Sequence, residues 1–292
     1  MDAVITFVDG SDPLWQQDYR AAAGRQALAK RYRDWGTLPY LLRGIERHMP
    51  FIDKVYLVVS RESQVPAWAD TSQLKVVYHS DILPAQCLPT FNSCTIELFL
   101  HRIPGLAEQF LYFNDDLFPV KDAAAQDFFP GGKAATGFSH HLFAPGIYKR
   151  QTRNADRLAR KALGLKVPPG FLRPQHSVMP MLRSASATAF RKVEAELMAS
   201  LTPLRDARNC NQYLFPDYQL LSGCGRARRL SNQHLSLATV SPQRLAAAIR
   251  SPREKILCIN DVEMSPARFE ALRDVMLMAF AAHFPDKSRF ER

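Results

Sequence analysis

The 292-residue chain is long enough to form one large domain or two small ones with a sizeable buried core. Its content of 47% hydrophobic and 23% charged residues is typical of globular proteins and excludes an intrinsically disordered chain. The formal net charge of +10 indicates an anionic partner. Nucleic acid, a phosphorylated small molecule and an anionic membrane surface would each satisfy that charge.

Neither the apolar runs nor the cysteines indicate a membrane or secreted protein. No apolar run reaches the roughly 20 residues needed to cross a bilayer, and the first strand-like run begins at Val4 without a signal-peptide pattern before it. The five cysteines are odd in number and lack CxxC spacing, so they indicate reduced thiols rather than disulfides or a zinc site. We therefore expect a cytoplasmic protein.

The first 120 residues alternate between strand and helix patterns. Apolar runs rich in β-branched residues predict strands at residues 4–8, 55–59, 74–78 and 110–113. An amphipathic helix is predicted from Thr37, with an apolar stripe formed by Leu38, Leu41, Leu42 and Ile45, and a second helix at 95–103. This order of elements predicts an α/β fold with a mostly parallel sheet flanked by helices.

The rest of the chain is less regular. Residues 148–166 hold seven Lys or Arg against one acidic residue, Asp156, and a helical stripe of Leu158, Ala162 and Leu165. The last third carries mostly helical patterns. Its final helix is predicted to begin at Ser265-Pro266, a favourable N-cap and first-turn pair.

Polar clusters follow three of the predicted strands. They are Asp9-Gly10-Ser11-Asp12, His79-Ser80-Asp81 and Asn114-Asp115-Asp116. In parallel α/β sheets, ligands bind beyond the carboxyl ends of the strands, and carboxylates there suit a hard divalent cation such as Mg²⁺ or Mn²⁺. The same residue types also cap helices and form turns, so the pattern leaves both interpretations open. No GxGxxG or GxxxxGK[ST] motif is present, which argues against a dinucleotide site or a P-loop.

Other polar residues are compatible either with a role in catalysis or binding or with a position in a loop or on the solvent-exposed surface. His176, between prolines in RPQHSVMP, is a loop histidine or a general base. Arg205 and Arg208 are solvated arginines or a phosphate clamp. The RARR of residues 226–229 and the basic segment 148–166 are solvated faces or contacts with an anionic acceptor or membrane. Because no nucleic-acid-binding module is recognisable, nucleic acid is not expected as a partner.

Long stretches of the chain resemble the Stealth family of sugar-1-phosphate transferases. These enzymes act in bacterial capsule and exopolysaccharide synthesis and are related to the enzyme that places GlcNAc-1-phosphate on lysosomal glycoproteins. The similar stretches are FVDGSDP, RYRDWGTLPYLLRGIERHMPFIDKVYLVV, HSDILP and LPTFNSCTIELFLHRIPGLAEQFLYFNDDLF. The segment around His176, LRDARNCNQYLFPDYQLLSG, KILCINDVEM and FPDKSRFE resemble later family regions. Asp9 stands where the family usually has Asn, and Asn209 where an acidic residue is common.

The resemblance implies a single catalytic domain over residues 1–292 with a Rossmann-like, GT-A-type fold. Residues 1–120 would form the nucleotide-sugar-binding half, 121–175 a basic insert and 176–292 a helical part that completes the active site. Such an enzyme transfers GlcNAc-1-phosphate or another hexose(amine)-1-phosphate from a UDP-sugar to a hydroxyl of a polysaccharide or lipid-linked acceptor and releases UMP. The basic segment is compatible with peripheral docking at the inner face of the cytoplasmic membrane.

The resemblance also implies roles for individual residues. Asp115 and Asp116 would hold Mg²⁺ or Mn²⁺, and the catalytic residues would be Asp116, His176 as general base and Arg205 as the stabiliser of phosphate charge. The donor-binding residues would be Asp2, Asp9, Gly10, Asp12, Arg43, His79, Asn92, Arg102 and Asn114. Cys258, Asn260 and Asp261 lie in a similar motif but receive no role.

Two other functions fit the same residues. A metal-dependent GT-A glycosyltransferase would use the same acidic sheet edge but would release UDP instead of UMP. A non-catalytic basic module that binds polyanions would consume no donor, and its binding would weaken steeply with salt.

Overall fold

The structure, a computed structural model, describes residues 1–24, 26–27 and 29–292. In chain order its strands and α-helices are β1 (Asp2–Thr6), α1 (Pro13–Ala23), α2 (Ala29–Tyr32), α3 (Leu38–His48), β2 (Val55–Val59), β3 (Leu74–Tyr78), α4 (His79–Ile82), α5 (Ser93–Leu98), β4 (Gln109–Phe113), β5 (Leu117–Pro119), α6 (Ala125–Phe128), β6 (Ala134–Thr136), β7 (Phe138–His141), α7 (Gly146–Ala162), β8 (Phe171–Pro174), β9 (Met179–Leu182), α8 (Arg183–Lys192), α9 (Glu194–Ser200), α10 (Leu214–Leu221), β10 (Gly225–Ala227), β11 (Asn232–Ser236), α11 (Pro242–Arg250), β12 (Ile256–Asn260) and α12 (Pro266–His283).

The chain forms two compact units, and each collects segments that are distant in sequence. The first unit contains Met1–Asp2, Val77–Tyr112 and Ala125–Leu230. The second unit contains Ala3–Val76, Phe113–Ala124 and Ser231–Arg292.

The second unit contains all of β2 and most of β1 and β3, three of the predicted strands. β1 and β2 pair in parallel, with Val4 opposite Tyr56, and β3 borders β2 on its other side. All five residues of β2 (VYLVV) are buried, as expected for an inner strand covered on both faces. Helix α1 begins after Asp12, whose carboxylate accepts from the Leu14 N–H at 2.9 Å, and Pro13 occupies its first turn. The predicted α/β class, with a parallel sheet flanked by helices, is confirmed.

A second sheet of the same unit joins three strands from distant parts of the chain. β11 and β12 are parallel, and β5 pairs antiparallel with β12, which places Cys258 opposite Leu117. Helix α3 packs against β5. The contact requires Gly44, because a Cβ at this position would lie 2.3 Å from the carbonyl oxygen of Pro119.

The first unit combines short strand pairs with helices. β4 and β9 are antiparallel, as are β7 and β8, whereas β6 and β10 are parallel. Helix α7 packs against α10 and β8. Its buried face includes Ala155, Leu158 and Ala162, and its outer face carries arginines. No helix of the described residues is long and apolar enough to span a membrane.

The predicted elements agree with the structure where their local signal is strong. The strands predicted at 55–59 and 74–78 have the predicted bounds, and the final helix begins after Ser265, whose hydroxyl accepts from the Arg268 N–H. The helix predicted at 95–103 is interrupted: α5 ends at Leu98, and a separate 3₁₀ turn spans Leu100–Arg102. The helical stripe predicted at Leu158, Ala162 and Leu165 does not extend to Leu165, since α7 ends at Ala162 and Leu165 is 44% exposed.

Candidate active site

A pocket in the second unit brings together acidic residues from three chain segments. The residues that line it include Arg33, Asp34, Trp35, Asp115, Asp116 and Asp261. Asp115 and Asp116 belong to the turn between β4 and β5, Asp34 precedes α3, and Asp261 follows β12. The predicted strand end at Asn114-Asp115-Asp116 therefore contributes to a concave site.

The carboxylates in this pocket are close enough to affect one another. The pKa of Asp115 is raised to about 7, first because protein atoms surround its carboxyl group and then because the charges of Asp116, Asp34 and Asp261 lie nearby. Burial also raises the pKa of Asp34, with a further contribution from the charge of Asp9. Asp115 nevertheless remains accessible to solvent. A hard divalent cation prefers oxygen ligands and would relieve this repulsion, so the donor set fits Mg²⁺ or Mn²⁺.

Asp261 is held by a cation and an aromatic side chain. The Arg33 guanidinium donates to both of its carboxylate oxygens, at 2.7 and 2.9 Å, and the Trp35 indole N–H donates to it at 3.1 Å. Arg33 also lies over the Phe269 ring, 4.9 Å from its centroid. These contacts fix one wall of the pocket and pair the Asp261 carboxylate with Arg33, which leaves Asp34, Asp115 and Asp116 as the carboxylates suited to a metal cation.

Cys258 supports Asp116 from the neighbouring strand. The backbone N–H of Ile259 donates to the Asp116 carbonyl at 2.9 Å, and the Cys258 thiol lies 3.6 Å from a carboxylate oxygen of Asp116. Cys258 is fully buried, and burial together with the charge of Asp116 raises its pKa. The thiol therefore stays protonated and acts as a hydrogen-bond donor to Asp116 rather than as a nucleophile.

The polar side chains of residues 9–12 hold this loop by hydrogen bonds within it and to Ser63 and Gln64. Asp9 accepts hydrogen bonds from the backbone and hydroxyl of Ser11 at 2.8 and 2.6 Å. Asp12 accepts from Ser63 and Gln64 at 2.6 and 2.8 Å, and although burial opposes it, these bonds hold the pKa of Asp12 below its usual value.

Gly10 in this loop lies against the backbone of Tyr32. Its N–H donates to the Tyr32 carbonyl at 2.7 Å, and a Cβ at position 10 would lie only 2.2 Å from that oxygen. Glycine is therefore required here by close packing. Whether the loop also binds the donor remains a prediction.

Arg43, predicted as a donor contact, makes several contacts inside the second unit. Its guanidinium donates to both carboxylate oxygens of Glu291, at 2.8 and 2.6 Å, and to the Phe284 carbonyl at 2.8 Å. It also lies 5.0 Å from the centroid of the Tyr40 ring. This arrangement ties α3 to the C-terminal segment, so donor binding by Arg43 stays a prediction.

In the first unit, two buried amides organise the loop that carries Arg205. Asn92 caps α5 by accepting from the Cys94 N–H at 3.2 Å, and its amide donates to Asn209 Oδ1 at 2.9 Å. Asn209 donates to the Ser200 carbonyl at 2.7 Å and accepts from the Asp206 N–H at 2.7 Å. Both amides are fully buried, whereas the nearby Arg205 is exposed.

Arg205 contacts the N-terminal end of the same short helix. Its guanidinium donates to the hydroxyl of Ser93, the residue after Asn92. Asn92 and Asn209 therefore hold the Arg205 loop against the start of α5.

His176 lies in a bend between β8 and β9 and is half-buried. The neighbouring Gln175 fixes this bend: its backbone N–H donates to the Gly137 carbonyl at 2.7 Å. The Gln175 side chain also accepts from the Leu230 N–H at 3.0 Å and donates to the Leu230 carbonyl at 3.1 Å. The histidine is thus carried by an anchored segment.

The remaining predicted donor residues of the first unit are mostly buried. Asp2 accepts from the Ala107 N–H at 2.8 Å and is 2% exposed. His79 is buried, and burial lowers its pKa to about 4, so its ring is neutral at pH 7. Arg102 lies over the Phe99 and Phe190 rings, 4.8 and 5.1 Å from their centroids. Their predicted contacts with the donor remain predictions.

Sequence reasoning did not select Arg33, Asp34 and Trp35, although they lie in the RYRDWG stretch that carries the family resemblance. It also gave no role to Asp261, whose partner Arg33 is 228 residues away in sequence. Arg33, Asp34 and Trp35 are charged or aromatic residues directly before the helix predicted from Thr37, and this position was the feature that could have identified them as site residues. Asn114 lies at the start of the acidic turn, where its carbonyl accepts from the Leu117 N–H at 3.2 Å.

Comparisons with known proteins identify the family. The family model described as Stealth protein CR2, conserved region 2, matches residues 31–136. The capsular polysaccharide phosphotransferase WcwK of Streptococcus pneumoniae is 30% identical over 100% of this chain and 99% of its own length. The exopolysaccharide phosphotransferase cps2G of Lactiplantibacillus plantarum is 29% identical, with 100% of this chain and 96% of that protein covered.

Among solved structures, an active-site mutant of LgtC matches with a TM-score of 0.42 and 12% identity, covering 94% of this chain and 95% of the other. Mouse xyloside xylosyltransferase 1 in its apo form matches with a TM-score of 0.40 and 13% identity, covering 88% and 96%. The full-length sequence relatives carry the assignment, which agrees with the resemblance read from the motifs. The chain therefore belongs to the Stealth family of phosphotransferases.

Proposed function

We propose that the enzyme transfers a sugar-1-phosphate from a UDP-sugar such as UDP-GlcNAc to a hydroxyl of a polysaccharide or lipid-linked acceptor. The observation that carries this proposal is the full-length similarity to capsular and exopolysaccharide phosphotransferases. The acidic pocket of the second unit supports it, because phosphoryl transfer depends on positioning and on neutralising phosphate charge. A cytoplasmic location, which the sequence predicts, forms part of the same proposal.

The proposed reaction is a substitution at the β-phosphorus of the donor. The acceptor oxygen forms a bond to this phosphorus, the bond to the bridging oxygen breaks, and UMP leaves with that oxygen. The His176 imidazole takes the hydroxyl proton, and the Arg205 guanidinium offsets the charge that develops on the phosphoryl oxygens. A divalent cation held by Asp115 and Asp116 would supply further positive charge to the diphosphate.

The remaining residues act by orienting these groups. The Cys258 thiol donates to the Asp116 carboxylate, and the Ile259 N–H fixes the backbone of the same residue. Asn92 and Asn209 hold the Arg205 loop. The donor contacts predicted for the loop of residues 9–12 and for the other candidate residues belong to this proposal.

Substitution of the three catalytic candidates tests the proposal. Asp116→Asn, His176→Ala and Arg205→Ala should each lower turnover by about 100-fold or more, in the range measured for general bases and phosphate-binding arginines. Circular dichroism and thermal unfolding should stay close to wild type. Normal turnover in any variant would remove that residue from the mechanism.

Exposed residues of the same types supply matched controls: Asp53→Asn, His140→Ala and Arg253→Ala change the same chemical groups on the surface. These variants should keep wild-type turnover. If they lost as much activity as the candidates, the loss would reflect general damage rather than catalysis.

A further inference from the structure

The outer face of α7 carries a continuous positive charge. Arg150, Arg153, Arg157 and Lys161 follow one another at intervals of three or four residues and are all exposed, so they share one side of the helix. The acidic residue of this helix, Asp156, is buried and accepts a hydrogen bond from Arg160 at 2.8 Å. The 17 residues of α7 extend over about 25 Å.

Exposed apolar side chains lie at both ends of this basic stripe. Before and at the start of the helix, Leu142, Phe143 and Ile147 are 58%, 77% and 43% exposed. Beyond its end, Leu165 and Val167 are 44% and 53% exposed. Large apolar side chains grouped in this way on a surface mark a contact with a partner or a membrane.

We propose that α7 and its two flanking loops form a docking surface for an anionic lipid bilayer. The arginines would contact anionic headgroups, and the apolar side chains at the two ends would enter the interface between headgroups and acyl chains. The helix would then lie parallel to the membrane plane, with its buried face on α10 and β8.

Charge complementarity and the apolar ends together favour a bilayer over a soluble anionic polymer. A polymer would pair with the arginines but would leave Phe143 and its neighbours in water, whereas a bilayer accommodates both. Lys161 forms an ion pair with Glu196, so Arg150, Arg153 and Arg157 supply most of the available charge. This inference rests on the proposed function for its purpose, which is to bring the enzyme to lipid-linked acceptors.

Vesicle co-sedimentation without any donor tests the surface directly. The full-length protein should bind phosphatidylcholine vesicles that contain phosphatidylglycerol and should not bind pure phosphatidylcholine. Each arginine contributes about a fivefold change in partitioning, so the triple variant Arg150→Gln, Arg153→Gln and Arg157→Gln should bind about 100-fold more weakly.

A second triple variant serves as a control for the loss of net charge. Arg244→Gln, Arg250→Gln and Arg253→Gln remove the same charge from exposed positions in the second unit and should bind like wild type. If both triple variants weakened binding equally, net charge alone would explain the attraction, and the proposed surface would be wrong.

The apolar ends are tested separately. Leu142→Ser with Phe143→Ser should weaken vesicle binding at least about tenfold, whereas Met278→Ser, a change at another exposed apolar side chain that is 60% accessible, should not. The bilayer proposal would be overturned if the double variant bound vesicles as tightly as the wild-type protein. It would also be overturned if the wild-type protein bound soluble polyphosphate but not vesicles.

Activity on a soluble acceptor separates this inference from the proposed function. The α7 variants should release UMP at the wild-type rate in the absence of vesicles, because none of these side chains belongs to the proposed catalytic machinery. A loss of vesicle binding with intact UMP release is the expected result. Failure of wild type to bind vesicles would refute the docking surface without affecting the sugar-phosphate transfer.

Discussion

Replacing the buried Asn209 with alanine should loosen the loop that carries Arg205. The Asn209 side chain makes four hydrogen bonds of 2.7–2.9 Å, to Asn92, Ser200, Thr202 and Asp206. Each buried hydrogen bond contributes about 1 kcal/mol net, so Asn209→Ala should lower the free energy of unfolding by about 4 kcal/mol. Urea unfolding of the purified variants measures this loss.

Asn211 supplies a matched control for the stability change. It is also buried, but its side-chain hydrogen bonds, to Thr152 and from the Tyr213 N–H, are longer at 3.5 and 3.3 Å. Because such bonds are weak, Asn211→Ala should cost about half as much stability or less. Equal losses in the two alanine variants would refute the reasoning.

The same Asn209 substitution should affect catalysis through Arg205. A displacement of about 1 Å in a positioning group can lower the rate about 100-fold, so Asn209→Ala should reduce kcat strongly and change the KM for the donor little. Asn209→Asp keeps the shape of the side chain but, when ionised, cannot donate to the Ser200 carbonyl. It should recover part of the activity, and more at lower pH. A wild-type kcat in Asn209→Ala would contradict the positioning role.

Three further substitutions probe burial, packing and the acidic pocket. Burial raises the pKa of Asp217 well above its usual value, so its contribution to stability is complete below about pH 4 and falls as the pH rises towards the pKa of the folded protein. The stability gain of Asp217→Asn should therefore grow by about 1.4 kcal/mol per pH unit within this window and level off above it. A gain independent of pH in thermal unfolding would contradict this. Gly44→Ala should lower the free energy of unfolding, measured in urea, by at least about 2 kcal/mol, because the added Cβ would collide with the Pro119 carbonyl oxygen. A variant as stable as the wild-type protein would exclude that close contact. Arg33→Lys keeps the charge but loses the two-point contact with Asp261. The affinity of the protein for Mn²⁺, measured by calorimetry, should therefore fall about tenfold. Unchanged affinity would show that the contact between Arg33 and Asp261 does not support a cation site.

Local sequence patterns predicted the elements whose formation depends on neighbouring residues. The β-branched run at 55–59 and the Ser265-Pro266 pair specify a strand and a helix start by themselves, and both were confirmed. Leu165 was misplaced because α7 ends three residues earlier, and Gly164 takes a left-handed conformation with φ 68°. A helical stripe alone does not show where its helix stops.

Local sequence patterns could not predict which distant strands pair with one another. Asp115 and Asp116, which the sequence placed at a strand end, line the pocket. The pairing of β12 with β5, which brings Cys258 to Asp116, joins segments more than 130 residues apart. The interleaving of segments in two units has the same cause. The predicted division into residues 1–120, 121–175 and 176–292 within one catalytic domain remains a prediction.

The fate of the donor's β-phosphate tests the central claim most directly. UDP-GlcNAc labelled with ³²P at the β-phosphate should transfer its label to the acceptor and release unlabelled UMP, and Asp116→Asn should abolish the transfer. A label that stays in released UDP would show a glycosyltransferase and contradict sugar-1-phosphate transfer.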